Sequence, residues 1–357
     1  MDIAAVRILR LAAGTSLSLG FSQVVAWDMS FIAPVITLLL LATPLPAPTL
    51  KGGIAFVVVL SMSLFMGLLL LPPLQNQPLA GVLLLTLALY WTFYFTAKGG
   101  PALLGTLATV GVATSTAVGS VNLDAVIAIV QLVSIGTLVG VLFVWIAHAI
   151  LPDATAREAG SRPSPDPAQK PEPDLAEARW SAFRSLVIVL PIALWFVFSS
   201  ASAAYVAVMI KVATMGQQAG SIGTRGAARS LLQSTLIGGV GAVLGWQLLR
   251  IAPTLPLYTL FIALSGLVFG RRIFQGEAMH PQAATWSYGF LTMVVILAPA
   301  VLDSAGGGPA SIKFWDRLSM FGFATVYAVG AVYVFDILAN RKKALLINKA
   351  SKQIPGK

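Results

Sequence analysis

LPDATAREAGSRPSPDPAQKPEPDLAEARW, residues 151–180, is the one long polar stretch in a chain of 357 residues. It is rich in Pro, Ala and charge and has no apolar period. Such a segment cannot bury enough apolar surface to offset the entropy of ordering it, so residues 152–180 read as a flexible linker. The flanks are the opposite: the chain is 57% hydrophobic and 10% charged, with a mean hydropathy of +0.86. A soluble domain carries about 25% charged residues, so the missing polar surface must be replaced by lipid contact. The composition therefore reads as an integral membrane protein.

A crossing helix needs about 20 apolar residues. Cutting the apolar stretches at Pro, Gly and charge clusters predicts twelve spans, near 5–26, 29–43, 52–72, 78–96, 101–119, 124–151, 181–199, 202–216, 230–250, 256–270, 281–301 and 318–340. The linker divides them six and six. The expected fold is an all-α polytopic membrane protein with a first six-helix unit at 1–151, a second at 181–340, and a basic tail at 341–357. Arg7 and Arg10 precede an apolar stretch with no small-residue cleavage site after it, so the first helix is expected to stay in the membrane.

Lys and Arg in short loops set the orientation. With a cytoplasmic N-terminus, the inner side holds Arg7, Arg10, Lys51, Lys98, the linker cations, Arg184, Arg225, Arg229, Arg271, Arg272 and the tail. Only Arg250, Lys313 and Arg317 fall outside. This bias places both termini and the linker in the cytoplasm and absorbs most of the formal net charge of +10, so no nucleic-acid partner is expected.

The halves share punctuation. Arg10 and Arg184 open the first spans at an offset of 174, Lys51 and Arg229 the third at 178, and Pro78 and Pro256 the fourth at 178. Asp124 and Asp303 occupy the fifth outer loops at 179. With six spans each, the halves enter the membrane in the same direction, as two parallel six-helix repeats. The second span of each is short and ends in a Pro-rich or Gly-rich loop, which in a transporter points to the binding site.

One of these short spans carries a cation with no loop to sit in: Lys211, in AAYVAVMIKVATMGQQAG (residues 203–220). On a helix it shares a face with Ala204, Ala207, Thr214 and Gln218, while Tyr205, Val206, Met209 and Val212 mostly point elsewhere. The small, polar stripe is expected to face the bundle and the bulky one to face lipid. The equivalent line in the first half is Ser30, Ala33 and Thr37, with Thr37 the counterpart of Lys211. Alternatively Lys211 snorkels to the cytoplasmic interface. A buried ammonium calls for a partner, and its own helix offers no acid, which suits an anion brought by a ligand.

Other polar groups have blander alternatives. Arg225, Arg229 and Lys51 form an anion-attracting vestibule or simply anchor the chain by the positive-inside rule. Asp28 and Asp336 are candidates for proton coupling, against solvation or pairing with Arg341. Asp124 and Asp303 are outer acids of the same kind. Gly238, Gly241, Ala242 and Gly245 permit close helix approach. His148 and His280 have no second ligand at metal spacing. Gln23, Gln131 and Gln233 lie within spans and could bond across helices. There is no cysteine, no G-x-x-x-x-G-K-[ST] loop and no catalytic constellation, so neither an enzyme nor a bound cofactor is expected.

Six spans, a linker, six more, a short second helix in each half, and the Arg-led ARSLLQSTLIGGVGAVLG (residues 228–245) resemble the fusaric acid resistance and aromatic acid exporter superfamily. The compact size resembles small bacterial members built on a domain of unknown function. The large cytoplasmic domains of bigger members are missing here. The resemblance implies proton-driven efflux of aromatic or other hydrophobic organic anions across the bacterial inner membrane, with a periplasmic membrane-fusion adaptor as partner. Plant aluminium-activated malate transporters are distantly similar and pair six-helix units around a basic pore, an arrangement that also admits a homodimer. Carried onto this chain, Lys211 binds the carboxylate, Thr214, Tyr205, Ser30, Thr37 and Gln218 shape the site, and Arg225, Arg229 and Lys51 draw anions to it. A passive anion channel and a non-transporting assembly protein are the rival expectations.

Overall fold

The computed structural model describes residues 2–119, 123–152, 174–198, 206–221, 224–276, 278–305 and 310–351. Thirteen helices follow one another: α1 (Ile3–Val25), α2 (Ile32–Leu41), α3 (Leu50–Leu69), α4 (Leu71–Asn76), α5 (Pro78–Ala97), α6 (Ala102–Gly119), α7 (Leu123–Ile150), α8 (Leu175–Phe198), α9 (Val206–Ser221), α10 (Thr224–Ile251), α11 (Leu255–Ile273), α12 (Ala283–Ala305) and α13 (Ala310–Ser351). Two-residue strands, β1 (Phe274–Gln275) and β2 (Ala278–Met279), close the α11–α12 turn. Ten helical segments among the described residues are long and apolar enough to cross a membrane, with α3 and α4 counting together as Leu50–Asn76. The protein is a multi-pass, all-helical membrane protein.

Every expected span overlaps a helix, and ten segments among the described residues are long enough to cross, with α2 and the described part of α9 shorter. Helix α2 has 10 residues, or about 15 Å of rise, half the hydrocarbon thickness. It follows a turn in which Ala26 and Met29 adopt positive φ (49° and 61°), and it stops before Pro44, Pro46 and Pro48. The described part of α9 has 16 residues. Other boundaries also move. Helix α8 begins at Leu175, inside the expected linker, because Asp174 accepts from the Ala176 N–H at 2.9 Å and caps the first turn. Helix α10 begins at Thr224, so Arg225 and Arg229 sit in its opening turns and not in a loop. Residues 153–173 of the linker and the tail beyond 351 lie outside the described residues.

The helices form a centre and a rim. In α6 and α12 the apolar windows are 78% and 72% buried inside the protein, against 22% in α5 and 28% in α13. From Phe290 to Ala298 every residue of α12 is buried. The rim turns large apolar groups to the bilayer, among them Leu83, Trp91, Leu236, Val240, Leu244 and Val326. At the centre the short helices are enclosed. Helix α9 packs against α5, α6, α8, α10, α12 and α13, and α2 against α1, α7 and α12.

The packing partners recur between halves. Helix α3 lies on α6 as α10 lies on α12, α1 on α2 as α8 on α9, and α3 on α7 as α10 on α13. The first and fourth long helices cross over: α1 packs on α11, and α8 on α5. Small residues allow the closest approaches. Gly266 and Gly270 of α11 face Ala12 and Ile8 of α1, so these two helices run antiparallel.

Candidate functional site

Lys211 is buried in the centre, 2% exposed. Its Nζ donates to Thr292 Oγ1 of α12 at 2.8 Å, while the Thr292 hydroxyl donates to the Tyr288 carbonyl at 2.7 Å. The threonine oxygen is thus left as an acceptor for the lysine. An ammonium has three N–H donors, and among the described residues no carboxylate and no second hydrogen-bond partner meets Lys211. The contact sits on a close helix crossing: a Cβ on Gly238 of α10 would come 2.6 Å from Thr292 Cβ. The glycines of α10 therefore hold Lys211's partner in place from behind.

Lys211 does not snorkel, and the bulky side of α9 does not face lipid. Val208, Met209, Ile210, Val212, Ala213 and Met215 are all buried, because α9 is surrounded by six helices. An amphipathic reading assigns the bulky stripe to lipid only when a helix lies at the rim. The Val206 side chain and Tyr205 lie outside the described residues.

The remaining site candidates separate. Thr214 is buried, and its hydroxyl donates to the Lys211 carbonyl at 2.7 Å, back onto its own helix. Thr37 Oγ1 lies 3.1 Å from Ser18 Oγ, 2.9 Å from the Ala33 carbonyl and 3.0 Å from the Gly140 carbonyl, tying α2 to α1 and α7. Its hydroxyl is therefore occupied in a knot of the first half and does not join Lys211. Ser30 is fully buried in the turn before α2, and its Oγ has no hydrogen-bond partner. The side chains of Gln218, Arg225 and Asp336 lie outside the described residues, although their backbones are helical. Arg229 and Lys51 are exposed in the first turns of α10 and α3, and Asp28 is exposed in the turn before α2. Among the described residues none of these surface positions makes a hydrogen bond or ion pair with the enclosed lysine.

Several polar groups were not singled out as interior. Gln217, next to the chosen Gln218, is 4% exposed, and its Nε2 would lie 3.2 Å from a Cβ on Gly105 of α6. Arg10 and Arg184, counted with the loop cations, are 4% and 7% exposed inside α1 and α8. Arg10 donates through Nε and Nη2 to the Leu151 carbonyl just after α7, at 3.1 and 2.6 Å. Their matching offset was the signal that set them apart from simple anchors. Among the described residues no group of three or more metal-ligating side chains occurs.

A cleft of about 420 Å³ opens between α8, α9 and α13, lined by Ile192, Trp195, Phe196, Val208, Met320 and Phe323 among others. Trp195 and Phe323 are both 56% exposed at its mouth. Val208 forms its inner wall one helical turn from Lys211. The recess is apolar, and Lys211, whose ammonium bonds to Thr292 of α12, is not part of its lining.

Residues 7–147 match a family described as proteins of unknown function, DUF2955. The match spans α1 to most of α7. No curated protein and no solved structure matches the chain.

Proposed function

We propose that the protein is an efflux transporter of aromatic or other hydrophobic organic anions in the bacterial inner membrane, built from two parallel six-helix units with the pathway between them. The observation that carries this reading is Lys211, enclosed among six helices with a neutral threonine as partner and, among the described residues, no acid to balance it. A charge at that depth is costly unless a counter-charge arrives, and a bound carboxylate supplies one. The apolar cleft ending one turn away suits the ring or chain of such an anion.

The recurring helix partners support the two-unit reading, as do the crossed pairs α1–α11 and α8–α5. The family match, which covers one unit and ends before residue 153, supports it as well. Proton coupling and a periplasmic adaptor extend the proposal along the resemblance already described.

Reconstitution tests it. Proteoliposomes with an imposed pH gradient are expected to accumulate benzoate beyond the level that this permeant weak acid reaches in protein-free vesicles and to lose the excess when the gradient is collapsed, with Lys211→Met no better than protein-free vesicles. Benzoate current of equal size without any gradient would make the protein a passive channel. Benzoate movement equal to that of protein-free vesicles in both conditions would leave the assembly-protein reading.

A further inference from the structure

At the end of the bundle away from the chain's N-terminus, α12 and α13 meet around another buried cation. Arg317 of α13 is 4% exposed. Its Nη2 lies 2.7 Å from Asp303 Oδ2 at the end of α12, and Lys313 Nζ lies 3.0 Å from Asp303 Oδ1. One carboxylate thus serves two cations. Arg317 Nε and Nη1 are buried and have no hydrogen-bond partner. The indole Nε1 of Trp246 is likewise buried without a partner. Trp246 stacks on Phe314 at 5.0 Å between ring centroids, and Phe314 lies one turn before Arg317 on α13. Buried donors left unmade are costly, and a guanidinium most of all.

This cluster is aligned with the central site. Thr292, which holds Lys211, and Asp303, which holds Arg317, are eleven residues apart on α12. Eleven residues make almost three whole turns, so the two share a face at a separation of roughly 16 Å. Between them that face carries Val295, Ile296 and Ala300, all buried.

We propose that Arg317 is a second station for the carboxylate of the transported organic anion, at the far end of the path that begins at Lys211, with Asp303 as the resident anion that competes with it. The inference rests on the transport reading above. The unused Nε and Nη1 take the ligand oxygens, and the buried N–H of Trp246, whose ring stacks on Phe314, is a further donor. Asp303 and the ligand then compete for the same guanidinium, which keeps the station weak enough to release its anion. Both stations lie in the second half: the first-half counterparts are Thr37 and, at the Asp124–Asp303 offset of 179, Leu138.

The test uses the full chain in detergent with 4-fluorobenzoate as probe, followed by fluorine NMR. Two bound signals are expected. Arg317→Gln removes one and Lys211→Gln the other. Asp303→Asn tightens the Arg317 signal by about tenfold, since a donor released from its ion pair makes a charge-assisted hydrogen bond to the ligand. Persistence of both signals in Arg317→Gln overturns the proposal. So does an unchanged affinity in Asp303→Asn, which decides the matter alone if Arg317→Gln fails to fold. Displacement of the Arg317 signal by equimolar chloride overturns the assignment to a carboxylate. If Lys211→Gln leaves both signals intact, the central site falls while this one stands.

Discussion

Gly238 of α10 lies backbone against backbone on Gly289 of α12, so close that a Cβ at position 238 would overlap the Gly289 carbonyl oxygen. The same Cβ would press on Thr292, the residue that accepts from Lys211. Helix contact and site geometry are thus set by one missing methyl group. Gly238→Ala is expected to destabilise the protein by about 1–3 kcal/mol, as overpacking does in well-packed interiors. Gly239→Ala, which meets only Leu318 Cδ1 at 3.5 Å, is the neutral control. Thermal unfolding of the two purified variants in detergent checks the difference, and equal melting temperatures would refute it.

The Lys211–Thr292 pair separates stability from function. Lys211→Met removes a buried charge and fills the space with an apolar chain of similar length. It is expected to leave stability unchanged or raised while abolishing benzoate transport. Thr292→Val instead strands the ammonium without its acceptor, at a cost of about 1–3 kcal/mol. Combining the two should recover the stability that Thr292→Val loses, a coupling that a double-mutant cycle of melting temperatures reads directly. A Lys211→Met protein that is both unstable and inactive would mean that the lysine is structural.

Arg10 is a further interior cation with a defined acceptor. Two of its bonds end on the Leu151 carbonyl, just past the last turn of α7. Arg10→Gln is expected to cost about 1.5–3 kcal/mol, the range for a hydrogen bond to a charged group. Exposed Lys51→Gln should change stability by less than about 0.5 kcal/mol. Unfolding in detergent compares the pair. If both variants melt together, Arg10 is an anchor like the rest.

The readable part of this fold is the part decided locally. Apolar length marks the rim helices, and Pro44, Pro46 and Pro48 mark the end of α2. Asp174 and Glu177 are spaced as a capping box before an apolar run, so the start of α8 was readable too, although the charged composition of residues 151–180 drew attention away from it. What could not be read was decided by contacts across the chain. Thr292 is 81 residues from Lys211, and nothing in either segment announces the other. Thr37 matches Lys211 by offset, yet its hydroxyl is taken up by Gly140, 103 residues away. Burial of α9 on every side likewise depends on helices from both halves, so its own pattern of small and bulky residues could only divide bundle from lipid.

The natural chain has no cysteine, which makes its orientation directly measurable. Asp28, in the turn between α1 and α2, and Lys51, at the start of α3, are both exposed and fall at opposite ends of the bundle, since α2 runs back along α1 with Thr37 beside Ser18 and Leu41 beside Gly14. The distribution of Lys and Arg puts Lys51 on the cytoplasmic side. In intact spheroplasts a membrane-impermeant maleimide should label Asp28→Cys and spare Lys51→Cys, and permeabilisation should expose the second to the reagent. The reverse pattern would turn the whole bundle over. It would place the Arg317 cluster on the cytoplasmic side and make the direction from Lys211 to Arg317 one of uptake.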